Sequence, residues 1–346
     1  PHSGTLHTGN EPSDVCPQCH LPSRFATVEH SRHDPSDATC VDCHMTSRTY
    51  MGVDDRRDHS FRIPRPDLTL EIGSPNACGG CHDDRDAHWA ASQIDTWLGP
   101  DRAPRPHIGS AIAAGRQGPA NAALAEASMD NGFPAIGRAT ALTLLVPPYT
   151  DAVTGAIDSA LSDPDPLVRT GALQALQRAP AETRLALGTK ALEDPVRSVR
   201  LAAARVYVDL VDLLPAAEAR TFGRAAEEYR ASHSMLTNTP EALASLGSFE
   251  LYSGNASQAV SYYRRALELE PGNALLRHSM GLVLIRSRER DDALAQLKHA
   301  HELAPANPRY IYVYGVALNS MGMNDDALAL LQQAREQHPN DFDIGW

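Results

Sequence analysis

Lysine is almost missing from this chain of 346 residues: Lys190 and Lys298 are the only two among 31 basic residues. The others are arginines scattered between 43 acids, giving a net charge of −12 and no basic stripe. Nucleic-acid binding therefore has no electrostatic footprint. Aromatic residues make up only 5% and prolines number 25, which excludes one large aromatic-centred core. No apolar run approaches the roughly 18 residues that a membrane-spanning helix needs. The length allows two or three domains. Pro1 opens the sequence in place of a methionine, which reads as a processed start with an export signal already removed.

Cysteine is absent everywhere except in one repeated pentapeptide. "CPQCH" holds Cys16, Cys19 and His20; "CVDCH" holds Cys40, Cys43 and His44; "CGGCH" holds Cys78, Cys81 and His82. C-x-x-C-H is the attachment signal for c-type haem. Two thiols three positions apart reach the two vinyl groups of one porphyrin, and the adjacent imidazole becomes the proximal iron ligand. Cys16, Cys19, Cys40 and Cys43 alone also fit a zinc ribbon, but this leaves Cys78 and Cys81 unused and three histidines unexplained. A thioredoxin-like dithiol needs a βαβ setting, whereas these segments are rich in Pro, Asp and Gly. Structural disulfides do not call for a histidine after each pair. The expectation is three covalently bound haem c groups.

Residues 1–107 have almost no helical or strand periodicity and few large aliphatics, so this stretch alone could hardly offset its chain entropy. Three apolar porphyrins would supply the missing core, with loops and short helices wrapped around them. Seven histidines lie here outside the motifs: His2, His7, His30, His33, His59, His88 and His107. That enrichment is what bis-histidine ligation requires. The distal candidates are His59 in "RRDHSF" first, then one of His30 or His33 in "EHSRHD", then His7 in "SGTLH". His2, at the extreme start, is also a candidate, for a haem of its own chain or of a neighbour. Met51 is a rival; Met45 follows a proximal histidine directly and reads as packing.

From about residue 110 the composition becomes Ala- and Leu-rich amphipathic helix. "ALSDPDPLVRTGALQAL" (160–176) and "ALEDPVRSVRLAAARVY" (191–207) match at a period of 31, and Arg138 and Ala141 keep the pattern one period earlier. D-P-x-x-x-V-R-x-x-A is similar to the HEAT repeat, in which Asp-Pro opens the second helix of a pair. A second array has a period of 34. Gly247, Gly281 and Gly315 align, as do Ala259, Ala293 and Ala327, and Pro271, Pro305 and Pro339. These are the small-residue and proline positions of the tetratricopeptide repeat. Residues 216–236 read as a lone preceding helix in the same phase. The sequence ends at "FDIGW" without a polar capping helix, so either the chain continues or Trp346 packs elsewhere.

"PHSGTLH", "CVDCHM", "RRDHSFRIPRPDL", "PNACGGCHDDRDAHWA" and the two arrays together resemble a family of multihaem c-type cytochromes with HEAT-like and tetratricopeptide repeats. In that family C-x-x-C-H-M is often followed by Pro; here Thr46 stands there. Members of that family commonly carry more haem motifs upstream of a segment like Pro1, which leaves open whether three is the full haem count. It also implies haem attachment outside the bacterial cytoplasmic membrane, hence the periplasm or cell surface. The fold class expected is mostly α: a loop-rich trihaem cytochrome c domain over 1–107, HEAT-like repeats over 108–214 and about three tetratricopeptide repeats over 215–346.

Three functions are open on this reading. The first is an electron carrier serving redox protein partners, its solenoid used for docking or for self-assembly into a homo-oligomer or filament. The second is an oxidoreductase for a small nitrogen or sulfur oxyanion, which needs an iron with an open sixth position. The third is a scaffold with structural haems. No catalytic residue stands out.

Overall fold

A computed structural model describes residues 12–99 and 106–337 of the chain. The expectations for His2, His7 and Trp346 lie outside those residues. The protein is mostly helical and divides into two compact units between Gly118 and Pro119.

The first unit is built from short pieces. A 3-10 segment Pro12–Gln18 leads into α1 (Pro22–Phe25), α2 (Val28–Ser31) and α3 (Cys40–His44). A hairpin of β1 (Ser47–Tyr50) and β2 (Asp54–Arg57) follows, pairing Ser47 with Arg57 and Tyr50 with Asp54. Then come α4 (Pro66–Ile72), a 3-10 turn Cys78–Gly80, α5 (Ala87–Leu98) and α6 (Ile108–Gln117). The hairpin was not expected, because its sequence shows no apolar alternation. Its turn explains it: Met51 at φ 52° and Gly52 at φ 77° give the two left-handed central residues that match strand twist. Met51, the rival iron ligand, therefore sits at a hairpin tip and is 81% exposed.

Packing within this unit is thin. Among the described residues up to Gly118, the buried hydrophobic side chains besides Pro66 are Val41, Leu68 and Ala90. Leu21, Val28, Val53, Phe61, Ile63 and Leu98 are all more than half exposed. Soluble domains seldom leave large side chains of this kind uncovered together.

The second unit is a helical solenoid. Three helix pairs come first: α7 (Asn121–Met129) with α8 (Ala135–Thr143), α9 (Asp151–Leu161) with α10 (Pro166–Leu176), and α11 (Ala181–Leu187), extended by a 3-10 turn, with α12 (Arg197–Tyr207). Asp163-Pro164 and Asp194-Pro195 do not open the second helices, as the repeat pattern suggested. Asp165 caps α10 and Val196 precedes α12. Asp163 and Asp194 instead accept from the backbone N–H of Asp165 and Val196. Each also receives the arginine of the preceding pair: Arg138 bonds Asp163, and Arg169 bonds Asp194 through two contacts of 2.8 and 2.9 Å. Arg200 continues the ladder onto Glu228 of α13 (Ala216–Ser234).

Arg169 and Asp194 are only 12% and 10% exposed along their side chains, so their fork-to-carboxylate contact is poorly screened. Arg169→Met keeps the aliphatic stem and deletes the fork. It is expected to cost about 2 kcal/mol in urea unfolding. Arg224→Met, facing Glu193 in a pair that is 68% exposed on each side, should change stability by less than about 0.5 kcal/mol. Equal responses from the two variants would strip the ladder of its role.

Three hairpins complete the unit: α14 (Pro240–Tyr252) with α15 (Ala256–Leu269), α16 (Ala274–Arg286) with α17 (Arg290–Leu303), and α18 (Pro308–Ser320) with α19 (Asn324–Gln337). Their starts repeat every 34 residues, as the sequence pattern requires. Gly247, Gly281 and Gly315 sit where a Cβ would meet Tyr263 at 2.9 Å, Leu297 at 2.7 Å and Leu331 at 2.9 Å. A larger residue at these positions would force the crossing tyrosine or leucine side chain to shift.

His278 on α16 is 3% exposed, packs on Tyr310 at 4.7 Å between ring centroids, and has no hydrogen-bond partner on either ring nitrogen. Burial, and after it the nearby Arg309, push its pKa below the ordinary 6.5. The neutral form is therefore the folded form. Unfolding lets the ring bind a proton, so stability is complete above pH ~6.5 and falls as pH drops below it. Urea midpoints at pH 7.5 and 5.5 measure this slope, and His278→Phe should flatten it.

Candidate functional site

The three C-x-x-C-H segments share one local conformation. The N–H of His20 donates to the Cys16 carbonyl at 2.9 Å, and His82 does the same to Cys78 at 2.9 Å. Cys40–His44 is the helix α3 itself. In one helical turn, positions i, i+3 and i+4 lie on one face. Each motif thus presents two thiols and an imidazole on the same side, the geometry a flat ligand anchored at two edge positions needs.

The segments also stand close to one another. The Val41 N–H donates to the Ser13 hydroxyl at 3.4 Å, linking the first motif to the second. Burial, and then the neighbouring Cys40 thiol, push the Cys16 pKa up. Burial and then Cys78 do the same for Cys43, and burial raises Cys78. A redox dithiol depends on a lowered thiol pKa, so these shifts run opposite to that chemistry. Among the described residues, no group of three or more His, Cys, Asp or Glu side chains is placed to hold a bare metal ion.

The second motif is the most firmly braced. Thr39 and Asp42 form a capping box at the start of α3. Burial works against the charged Asp42, but the Thr39 hydroxyl and amide and the Arg57 guanidinium donate to it and hold its pKa below the usual carboxylate value. Arg57 also donates to the Met45 carbonyl, so the hairpin returns onto α3. The chain then runs back along His44. The Arg62 N–H donates to the His44 carbonyl at 2.9 Å, and His44 Nδ1–H donates to the Arg62 carbonyl at 2.8 Å. That second bond fixes the tautomer and leaves Nε2 free as a ligand atom. At the third motif, the Cys78 N–H donates to the Asn76 side-chain oxygen, and His82 lies against Trp89 of α5 at 4.8 Å.

Two other histidines face this set. The His30 ring lies 6.1 Å from that of His44, with 21° between planes. The His33 ring lies 5.9 Å from that of His82, at 48°, and meets Trp97 edge-on. The sequence reading favoured only one of this pair; the structure brings both against motif histidines. His20 meets Phe25 edge-on at 5.3 Å, and Phe25 in turn meets His30. His59, the first-ranked candidate, lies just beyond β2 with Nδ1 at 2.9 Å from the Arg57 carbonyl. Among the described ring contacts it meets no motif histidine. His88 is exposed in the first turn of α5. His107 accepts the Gly109 N–H on Nδ1 as the N-cap of α6, which assigns it a structural task.

Sequence reasoning missed the bracing groups: the Arg62 carbonyl, Arg57, Trp89 and Trp97. No motif marks them. The unpaired Trp spacing in "AHWAASQIDTW" was the one visible trace.

Comparison with known proteins addresses the solenoid. Residues 199–345 match the tetratricopeptide repeat family model. Solved structures similar to the chain include MamA, at 20% identity over 55% of this chain and 96% of that one, with a TM-score of 0.34. YrrB, described as a TPR protein with an unusual peptide-binding site, shows 18% identity over 64% and 95%, with a TM-score of 0.32. A thermophilic TPR protein of Thermus thermophilus shows 21% over 69% and 95%, at 0.32. No curated protein matches the chain. The matched stretch begins inside α12 and takes in α13 and all three hairpins, so residues 199–345 carry tetratricopeptide repeats, which point to protein–protein interaction or a scaffold.

Proposed function

We propose that the chain is a multihaem c-type electron carrier that docks on protein partners through its repeat solenoid. The observation that carries this reading is the donor set. All six cysteines lie in single helical turns ending in histidine, and two of those histidines look across about 6 Å at a second histidine ring. Two imidazoles on opposite sides of one iron, each bonded at about 2 Å, put their ring centres a little over 6 Å apart. The residues therefore fit the group.

In this reading Cys16 with Cys19, Cys40 with Cys43, and Cys78 with Cys81 would each hold one haem c through two thioether links, and His20, His44 and His82 would bind its iron. Bound haem c supplies reversible one-electron exchange at iron, with potential set by the axial ligands and their hydrogen bonds. The Arg62 carbonyl sharpens the His44 donor by taking its Nδ1–H. The exposed Leu21, Val28, Phe61 and Ile63 are the apolar side chains that a porphyrin face would cover. Donor and acceptor are redox proteins, and the periplasm or cell surface follows from where covalent attachment is made.

One observation favours the oxidoreductase reading for one site. The ring set against His20 is Phe25, and Phe25 cannot ligate. His7 and His2, the other distal candidates, lie outside the described residues. Intact mass of the purified chain with a reduced-minus-oxidised spectrum tests the proposal. Three covalent porphyrins and a reversible c-type spectrum are expected. A colourless protein carrying zinc overturns it. Carbon monoxide binding by a single iron in the unaltered protein would move the reading to the oxidoreductase.

A further inference from the structure

We infer that one short turn, residues 27–33, supplies the distal ligands of two neighbouring irons: His30 opposite His44 and His33 opposite His82. This rests on the multihaem reading and adds to it which histidine serves which attachment motif.

The turn is built to hold two rings in different directions. Thr27 caps α2, its hydroxyl accepting the His30 N–H at 3.3 Å. The Ser31 hydroxyl donates to the His33 carbonyl at 2.9 Å, with the Thr27 carbonyl the alternative acceptor at 3.2 Å, and accepts the His33 N–H at 3.2 Å. Between the two histidines Arg32 takes a left-handed conformation, φ 60°. A non-glycine residue seldom adopts that conformation without a local reason. Here the reason is direction. In an unbroken helix, residues three apart share a face and would address the same partner. The reversal at Arg32 instead sends His30 to the second motif and His33 to the third.

The protonation pattern agrees. His33 Nδ1 lies 2.7 Å from the Ser31 carbonyl, which can only accept, so Nδ1–H is the donor and Nε2 is the ring nitrogen left for a ligand bond. His44 has the same arrangement through Arg62. The two ring separations, 6.1 and 5.9 Å, agree with each other and with the span of one iron between two imidazoles. Each of the two contacts joins a distal candidate to the histidine of a C-x-x-C-H motif. The two ligand Cα atoms lie at most about 11 Å apart on the chain, so the two irons are neighbours held by one rigid element.

The test uses the haem-loaded full chain. Covalent attachment does not depend on a distal ligand, so His30→Ala and His33→Ala should each keep the porphyrin count by intact mass. Each should gain one carbon monoxide-binding ferrous haem per chain over the parent, and added imidazole should return the ferric spectrum to low spin. His88→Ala, exposed on α5, should gain none. In a Cys40→Ala, Cys43→Ala background, His30→Ala should add no further site, whereas His33→Ala should still add one. His30→Met and His33→Met, which keep an axial donor, cover the case in which the alanine variants do not accumulate. They should raise the potential of one haem each. Full porphyrin content with unchanged spin state and carbon monoxide stoichiometry in either alanine variant overturns the pairing but leaves the carrier reading intact. Absence of porphyrin from the parent protein overturns the carrier reading itself.

Discussion

Replacing all six cysteines with alanine should abolish the fold of the first unit and leave the second standing. The expectation comes from what each unit can bury for itself. Ordering one residue's backbone costs about 1–2 kcal/mol, while burying one Val or Leu side chain returns about 1.5–3 kcal/mol. Up to Gly118 the described chain buries Val41, Leu68, Ala90 and Pro66, with hydrogen bonds that are mostly short-range turns and caps. The hairpin is two-stranded, and such ribbons are marginal on their own. The solenoid differs: Leu142, Ile157, Leu173, Leu176, Tyr207, Leu243, Leu284 and Leu297 are all fully buried there. In the six-alanine chain, limited proteolysis should therefore cut freely between residues 12 and 118. The far-ultraviolet helical signal should fall only by the share of the first unit, and the thermal transition of the solenoid should persist. A six-alanine chain whose first unit still resists protease would mean that the polypeptide alone suffices, and the proposed apolar cofactor would lose its structural role.

The two halves differ in how much of them the sequence exposes to reading, and the cause is physical. In the solenoid each helix packs on its neighbours in sequence, so a local constraint recurs at a fixed spacing. Gly247, Gly281 and Gly315 are glycine because one aromatic or leucine side chain crosses each of them in the same way. Arg169 and Arg200 recur because each reaches an acid of the following element, Asp194 and Glu228 respectively. What the pattern misplaced was the role of Asp163 and Asp194, since capping and side-chain bridging both ask for an aspartate at a helix entrance. The first unit has no such redundancy. The motifs were legible because the same C-x-x-C-H pentapeptide holds every cysteine of the chain, at Cys16, Cys40 and Cys78 onward. The ring partners were not, because they are set by a left-handed Arg32 and by a hairpin whose charged strands carry no apolar alternation. His59 ranked first on its local surroundings in "RRDHSF". His30 and His33 face the motif histidines by a return of the chain that those surroundings do not encode.

Gly171→Val should unfold the front of the solenoid more than any other single glycine change. Gly171 lies on α10 where it crosses α8. A Cβ there would stand 2.8 Å from the Ala139 carbonyl oxygen, 3.0 Å from the Ala139 Cα and 3.2 Å from its Cβ. At Gly247 or Gly281 the obstruction is a side chain that can rotate partly aside. At Gly171 it is backbone inside a hydrogen-bonded helix, so α8 and α10 must separate. That separation opens the layer around Leu142, Val168 and Ala172, which are fully buried. It also stretches the Arg138 to Asp163 contact that ties the same two helix pairs. Overpacking of this kind costs about 1–3 kcal/mol when neighbours can adjust, and more when they cannot. An expected loss of about 3 kcal/mol or more would appear as a lowered urea midpoint for the first three helix pairs. Gly155→Ala supplies the contrast. Gly155 is exposed on α9 with nothing within 4 Å of its would-be Cβ, so alanine there should stabilise by up to about 1 kcal/mol through helix propensity alone. Opposite signs for these two glycines are the signature of α8 and α10 in backbone contact. If Gly171→Val were tolerated as well as Gly155→Ala, the two helices would have to lie farther apart than described, and the arginine ladder would lose the spacing on which it depends.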